Sequence, residues 1–241
     1  MSREENPSPQ TTRSNDVDYC FENFFSSTTL LDTLSTFHQL VYASGTDINL
    51  YSQEFFHNLK RNILKYANKS KNEIFFQQLT QKTTLSDYQS KNCRAIHVLV
   101  VGCGPVGLRS AIEYSLLGCK VLMVEKRKSF SRSNVVHLWP FLIHDLKSLG
   151  IKKFVSKFCL GDIDIISIKT LELSLLKLAL LFGVKVFAGY GFNGLIYPGH
   201  QYNLNNSKSS GWRAQFQPEN NALSSWNFNV VVGADGKRSS I

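Results

Sequence analysis

The chain has 241 residues, of which 43% are hydrophobic and 19% are charged. This balance excludes an intrinsically disordered protein and predicts one large folded domain or two small ones. The formal net charge of +9 favours acidic partners, although surplus lysine can equally serve solubility alone.

Further exclusions come from the cysteines and the apolar segments. The five cysteines show no C-x-x-C spacing, so we expect neither a disulfide framework nor a metal site, and a cytoplasmic location fits. The longest apolar stretch, residues 171–186, is short and contains Glu172, Lys177 and Lys185, so we expect no membrane span. Nucleic acid is not an expected partner, because no nucleic-acid-binding motif accompanies the basic residues.

The first 90 residues differ in composition from the rest. Residues 1–18 are rich in Ser, Asn, Pro and Thr, which predicts a disordered tail. Residues 19–90 predict a helical N-terminal layer, because apolar residues recur there at helical spacing on both sides of a break at Gly45. We expect this layer to bury its apolar faces against the domain that follows, residues 91–241.

The pattern then changes to short β-branched runs. Residues 98–101 predict a buried parallel strand, residues 108–117 a helix and residues 120–125 a second buried strand, which together form a β-α-β unit. Residues 166–182 predict a long apolar helix. Further strands are predicted over residues 184–187, 212–217 and 228–232.

The turn of the β-α-β unit contains Gly102, Gly104 and Gly107 in G-x-G-x-x-G spacing. Gly102 permits a tight turn, Gly104 lets the backbone approach a pyrophosphate, and Gly107 lets the helix pack close to the strand. Glu125, at the end of the second strand, can accept hydrogen bonds from a ribose diol. This context favours a dinucleotide-binding turn over an unrelated glycine-rich turn.

Two features favour FAD over a nicotinamide dinucleotide as the bound cofactor. Glu125 suits a bare ribose diol and would repel the additional phosphate of NADP. The apolar run 228–234 leads into Asp235 and Gly236, and it resembles the second fingerprint of the aromatic-hydroxylase class of flavoproteins. In that class the aspartate meets the FAD. An ordinary β-turn is the alternative for these two residues.

The most specific segment is Ser129 to Phe141, Ser-Phe-Ser-Arg-Ser-Asn-Val-Val-His-Leu-Trp-Pro-Phe. It is similar to the MICAL family of flavin monooxygenases, and the resemblance covers about residues 95–236. It implies an α/β, Rossmann-like FAD-binding fold of the aromatic-hydroxylase type with an α-helical N-terminal layer. It also implies an enzyme that uses FAD, NADPH and oxygen to oxidise methionines of F-actin, releases hydrogen peroxide and promotes actin disassembly beside the cytoskeleton.

The resemblance also assigns a cofactor site that extends beyond the three glycines, Asp235 and Gly236. Asn134 is expected beside the isoalloxazine ring and is the one residue with an expected catalytic role. Arg127 and Arg132 would supply permanent cations for phosphates. The positions that match the family's flavin contacts are Val106, Glu125, Lys126, Arg127, Arg132, Ser133, Asn134 and Phe192.

Two departures from the family pattern leave other functions open. Glu172 stands where the family has a neutral amide, and an ionised carboxylate there would repel phosphate. The chain ends at Ile241, so we expect a fold that is truncated before the rest of the monooxygenase domain. The alternative is a non-catalytic FAD-fold binding or adaptor module. An NAD-dependent dehydrogenase is disfavoured because no His/Asp or Tyr/Lys pair has a usable spacing. We expect a monomer.

Overall fold

A computed structural model describes residues 9–66, 69–89, 93–151, 159–160, 163–198, 211–237, 239 and 241. Part of the family-like segment, residues 152–158, lies outside the described residues. The elements in chain order are α1 (Pro9–Ser26), α2 (Leu30–Ser44), α3 (Ser52–Tyr66), α4 (Lys69–Thr83), α5 (Ser86–Gln89), β1 (His97–Val101), α6 (Pro105–Leu116), β2 (Lys120–Glu125), β3 (Val135–His137), α7 (Pro140–Ser148), β4 (Cys159–Leu160), β5 (Ile163–Ser167), α8 (Ile168–Leu181), β6 (Lys185–Ala188), β7 (Gly191–Ile196), β8 (Arg213–Gln217), α9 (Asn221–Ser224) and β9 (Val230–Gly233).

The central sheet has four parallel strands in the order β6-β2-β1-β9. From β1 the chain moves outward to β2 and β6, and it later returns to place β9 on the other side of β1. Ligands of open α/β sheets bind at such a switch point, beyond the carboxyl ends of the strands. The sheet confirms the α/β, Rossmann-like fold predicted from the sequence.

Alternate residues of β1 and β2 enter two different cores. Val100 and the paired Met123 are fully buried on the face that α6, α8 and the N-terminal helices cover. Leu99 and the paired Leu122 point to the other face, which the antiparallel strands β7 and β8 cover. Because both faces are buried, these strands have continuous apolar sequences.

The helical layer packs as expected onto the α/β part, and its core is continuous with the core beneath α6 and α8. The prediction of a disordered tail over residues 1–18 is wrong from Pro9, where α1 begins. The polar composition suggested disorder, but the helix is stabilised by tertiary packing, which composition does not reveal. Its side chains Val17, Phe21 and Phe24 are almost fully buried. Residues 1–8 lie outside the described residues.

The predicted helix 166–182 begins two residues later than expected. Ser167 is its N-cap, since the Ser167 hydroxyl accepts a hydrogen bond from the Thr170 amide at 3.1 Å. Ile166 is instead paired with Val136 in the antiparallel β3–β5 ladder. Among the residues that the structure describes, no helix is long and apolar enough to cross a membrane.

Candidate cofactor site

The glycine turn connects the end of β1 to the start of α6. Gly102 has a φ of +105°, and a Cβ atom there would lie 2.4 Å from the Ala234 carbonyl oxygen. A Cβ atom on Gly107 would lie 2.1 Å from the Gly102 carbonyl oxygen. These contacts fix both positions sterically, because the turn, helix α6 and the end of β9 approach closer than a side chain permits.

Gly104 differs from the other two glycines. A Cβ atom there would meet nothing within 4 Å, so the space above this residue is open. Gly104 is also the N-cap of α6, with Pro105 in the first turn. The helix therefore presents unpaired amide groups and the positive end of its dipole toward this open space, an arrangement suited to a phosphate group.

Glu125 links the turn to the end of β2. Its Oε2 accepts a hydrogen bond from the Cys103 amide at 2.9 Å, and its Oε1 accepts one from the Arg127 amide at 2.9 Å. The Glu125 carbonyl oxygen also accepts hydrogen bonds from the Gly189 and Tyr190 amides. One residue thus connects the ends of β1, β2 and β6, and its partly exposed carboxylate retains lone pairs for a ligand hydroxyl.

A cavity of about 470 Å³ lies over the carboxyl ends of β1, β2 and β9. This volume is within the usual range for a small-molecule site. The cavity contains most of the predicted cofactor residues. Those that line it are Gly102, Gly104, Val106, Glu125, Lys126, Arg127, Arg132, Phe192, Asp235 and Gly236.

Two arginines of the segment after β2 line the cavity and supply positive charge to it. Arg127 and Arg132 are both exposed. The Arg132 guanidinium lies over the Asp235-Gly236 turn, since its Nη2 would be 3.9 Å from a Cβ atom on Gly236. The amides of the turn and these cations fit the pyrophosphate of a dinucleotide.

Glu172, the departure noted in the sequence, also lines the cavity and is only 5% exposed. Burial raises the pKa of its carboxyl group to about 7, and the nearby Glu125 carboxyl adds to the rise. The guanidinium groups of Arg132 and Arg127 oppose it. Its Oε2 has no hydrogen-bond partner among the described residues.

Three predicted positions do not line the cavity. Gly107 is buried below the turn, whereas Ser133 and Asn134 are exposed on the segment that leads into β3. The Asn134 carbonyl oxygen accepts a hydrogen bond from the Ile168 amide at 2.8 Å, which joins this segment to the start of α8. The structure therefore fixes the Asn134 backbone beside the cavity, and the catalytic role of its side chain stays a prediction.

Sequence reasoning missed Tyr190 and Gln217, which complete the wall of the cavity. Gln217 ends β8, and Tyr190 precedes β7, so the β7–β8 pair brings them to the same side. Neither residue belongs to a local motif. Finding them would require knowing which strands lie next to β2, and a single sequence does not give this information.

The described residues contain no group of three or more His, Cys, Asp or Glu side chains that could hold a metal ion. Cys20, Cys93, Cys103 and Cys119 are free thiols. Burial, with the Glu125 and Glu172 carboxyls nearby, raises the pKa of the Cys103 thiol well above its usual value, so it stays protonated at neutral pH.

Comparison with known proteins identifies relatives of the chain. No family model matches it. It is 41% identical to the F-actin monooxygenase MICAL3 of Homo sapiens and 43% identical to the F-actin monooxygenase MICAL2 of Mus musculus. The protein-methionine sulfoxide oxidase mical3a of Danio rerio is 40% identical. Each match covers 222 residues, which are 92% of this chain and 11% of the relative.

Solved structures are more distant. The aromatic hydroxylase CabE is 18% identical, with a TM-score of 0.44 over 61% of this chain and 32% of that one. The parallel strand order β6-β2-β1-β9 defines the fold. The chain spans 11% of the length of the curated relatives it matches, and over that part its sequence is similar to the MICAL family.

Proposed function

We propose that the chain binds FAD in the cavity beside Gly104 and forms the cofactor-binding part of an FAD- and NADPH-dependent monooxygenase. The observation that carries this proposal is the glycine turn, open above Gly104 and tied to Glu125 by the hydrogen bond from the Cys103 amide. A parallel sheet, the start of a helix and an acidic strand end converge there, as a bound dinucleotide requires.

Each group at the cavity has a defined task in this proposal. The amides at the start of α6 and the guanidinium groups of Arg127 and Arg132 would hold the pyrophosphate. Glu125 would accept hydrogen bonds from the ribose hydroxyls. Bound FAD would supply the redox chemistry, while the protein orients the cofactor and limits the access of water.

Methionine oxidation in F-actin, with NADPH as reductant and hydrogen peroxide as by-product, is the substrate-level part of the proposal. The names of the relatives, F-actin monooxygenase and protein-methionine sulfoxide oxidase, support it. We propose a monomer that associates with the actin cytoskeleton and promotes actin disassembly.

The test begins with the absorption spectrum of the purified 241-residue chain with and without added FAD. We expect flavin bands in a fixed ratio to protein after unbound FAD has been removed. NADPH oxidation is then measured with and without actin filaments. A protein that stays colourless in excess FAD would contradict the cofactor assignment.

A second function is supported by the exposure of Asn134 and its position outside the cavity lining. If this side chain does not meet the cofactor, the chain serves as a non-catalytic FAD-fold binding or adaptor module. Retention of FAD without any NADPH oxidation, with or without actin, would favour this alternative over the enzyme.

Contact with acidic actin filaments would use exposed basic residues of α3. Arg61 and Lys65 are exposed, whereas the Lys60 ammonium group donates a hydrogen bond to Thr80 Oγ1 at 2.8 Å. We expect Arg61→Glu with Lys65→Glu to reduce co-sedimentation with filaments, and more strongly at low salt. Lys147→Glu with Lys169→Glu, two exposed basic residues outside α3, is the control matched in net charge. Equal loss in both variants would mean that only net charge matters.

A further inference from the structure

Glu172 is held rigidly at the wall of the cavity. It lies in the second turn of α8, whose first turn is fixed by the Ser167 cap and whose buried face packs against α6. The side chain is 5% exposed and lines the cavity, and its Oε2 has no hydrogen-bond partner among the described residues. A buried carboxyl oxygen without a partner is most costly when it is ionised, so burial beside the cavity favours the protonated carboxyl group.

Charged and titratable groups face Glu172 from several elements. Arg127 and Arg132 come from the segment after β2, and Glu125 comes from the end of β2. The Cys103 thiol faces it from the glycine turn. Lys126 and Asp235 line the same cavity. The cations favour the ionised carboxylate, but burial together with the Glu125 carboxyl outweighs them.

We propose that Glu172 is a ligand-binding residue that acts in its protonated form, so that the cavity takes up a proton when it binds the pyrophosphate of a dinucleotide. This inference rests on the proposed function, since FAD is the dinucleotide concerned. Protonation of Glu172 also explains how a chain with an acid at this position can bind a phosphate group in the cavity.

The physical reason is the chemistry of hydrogen-bond donors. A phosphate oxygen only accepts hydrogen bonds, and an ionised carboxylate also only accepts them, so the two repel each other. A protonated carboxyl group can donate, as the neutral amide found at this position in the family pattern does. Burial raises the pKa of Glu172 to about 7, so the donating form is accessible near neutral pH. A bound polyanion stabilises that form further.

The sign of the pH dependence follows from this preference. Below pH 7 Glu172 is protonated in most molecules, and these bind FAD without the free-energy cost of protonating the carboxylate. At pH 8 about one molecule in ten has that form, so the apparent Kd for FAD at pH 8 should be about tenfold higher than at pH 6. The pyrophosphate of FAD is fully ionised throughout this range and therefore adds no pH dependence.

The experiment measures the Kd of FAD by the change in flavin fluorescence at pH 6 and pH 8, for the full chain and for Glu172→Gln. We expect the tenfold change in the unmodified chain and less than a twofold change in the variant, whose amide donates at both pH values. Equal pH dependence in the two proteins, or none in the unmodified chain, would overturn the inference.

A second measurement does not require the variant. Calorimetric titration of the unmodified chain with FAD at pH 7, in two buffers of different ionisation enthalpy, gives the number of protons taken up. We expect about half a proton per FAD, and zero would overturn the inference. Tight, pH-independent binding would remove this inference and leave the proposed function intact, whereas no FAD binding at either pH would remove both.

Discussion

Gly104 and Gly107 belong to the same motif but serve different purposes. At Gly107 a side chain would collide with the backbone of the turn itself, with 2.1 Å between its Cβ atom and the Gly102 carbonyl oxygen. At Gly104 a side chain would enter open space. Gly107 is therefore required by the fold, whereas the open space at Gly104 leaves room for the proposed pyrophosphate.

This difference gives a matched pair of substitutions. We expect Gly104→Ala to change the unfolding free energy by less than about 0.5 kcal/mol while raising the Kd for FAD by about tenfold or more. Gly107→Ala should cost about 1–3 kcal/mol of stability, because α6 must move away from the turn. Urea unfolding of the apoproteins and FAD titration measure the two effects. Unchanged FAD binding in Gly104→Ala would place the pyrophosphate elsewhere.

Local sequence predicted the positions of single residues where a motif fixes the geometry. The three glycines and Glu125 were found in this way, since strand, turn and helix follow one another within about thirty residues. The departure at Glu172 was visible in the sequence as well. Its burial was not, because that depends on the packing of α8 against α6, two helices that are distant in the chain.

Among the elements, those with continuous apolar runs were predicted well. Strand β2 has the predicted limits, and β1 begins one residue early, at His97. The short strands β3 and β5 were missed because they are stabilised by pairing with each other, about thirty residues apart, rather than by a local pattern. The first part of helix α1, residues 9–18, was missed because its stability comes from docking onto the other helices.

One contact ties α1 to α8 and can be tested by pH. The buried Lys177 ammonium group donates hydrogen bonds to the Phe25 and Ser27 carbonyl oxygens at 2.6 and 2.9 Å. Burial lowers the pKa of Lys177 to about 8, although Asp32 opposes the shift. Between this value and the ordinary pKa of 10.5 the unfolded chain binds more protons than the folded one, so folding stability from this group rises with pH.

We therefore expect the unfolding free energy of the unmodified chain to rise, relative to Lys177→Met, by about 2 kcal/mol between pH 7 and pH 9.5. Methionine keeps the length of the side chain but does not titrate, and other titrating groups are common to both proteins. Urea unfolding at the two pH values provides the comparison. Parallel profiles would show that Lys177 keeps its ordinary pKa in the folded protein.

At the scale of the whole molecule, the helical layer and the α/β part share a continuous core. Phe56 of α3 is fully buried and lies against Phe76 of the layer and Phe182, with ring centroids 6.3 and 5.1 Å apart. Phe182 follows α8, the helix that presents Glu172 to the cavity. The layer thus supports the cavity wall from behind, and we expect the two parts to unfold together.

Phe56→Ala tests this coupling. Loss of the buried ring should lower the unfolding free energy by about 3–5 kcal/mol, whereas Tyr42→Ala, at a side chain that is 89% exposed, should change it by less than about 0.5 kcal/mol. The chain contains its own probes, because Trp139, Trp212 and Trp226 all lie in the α/β part, while the four longest described helices, α1 to α4, lie in the layer.

Tryptophan fluorescence and far-ultraviolet circular dichroism should therefore give the same urea midpoint in the unmodified chain and a common lower midpoint in Phe56→Ala. We also expect the substitution to weaken FAD binding, since α8 loses its support behind the cavity. If fluorescence kept its original midpoint while the helical signal was lost earlier, the layer would be an independent unit. The cavity would then depend only on the sheet, α6 and α8.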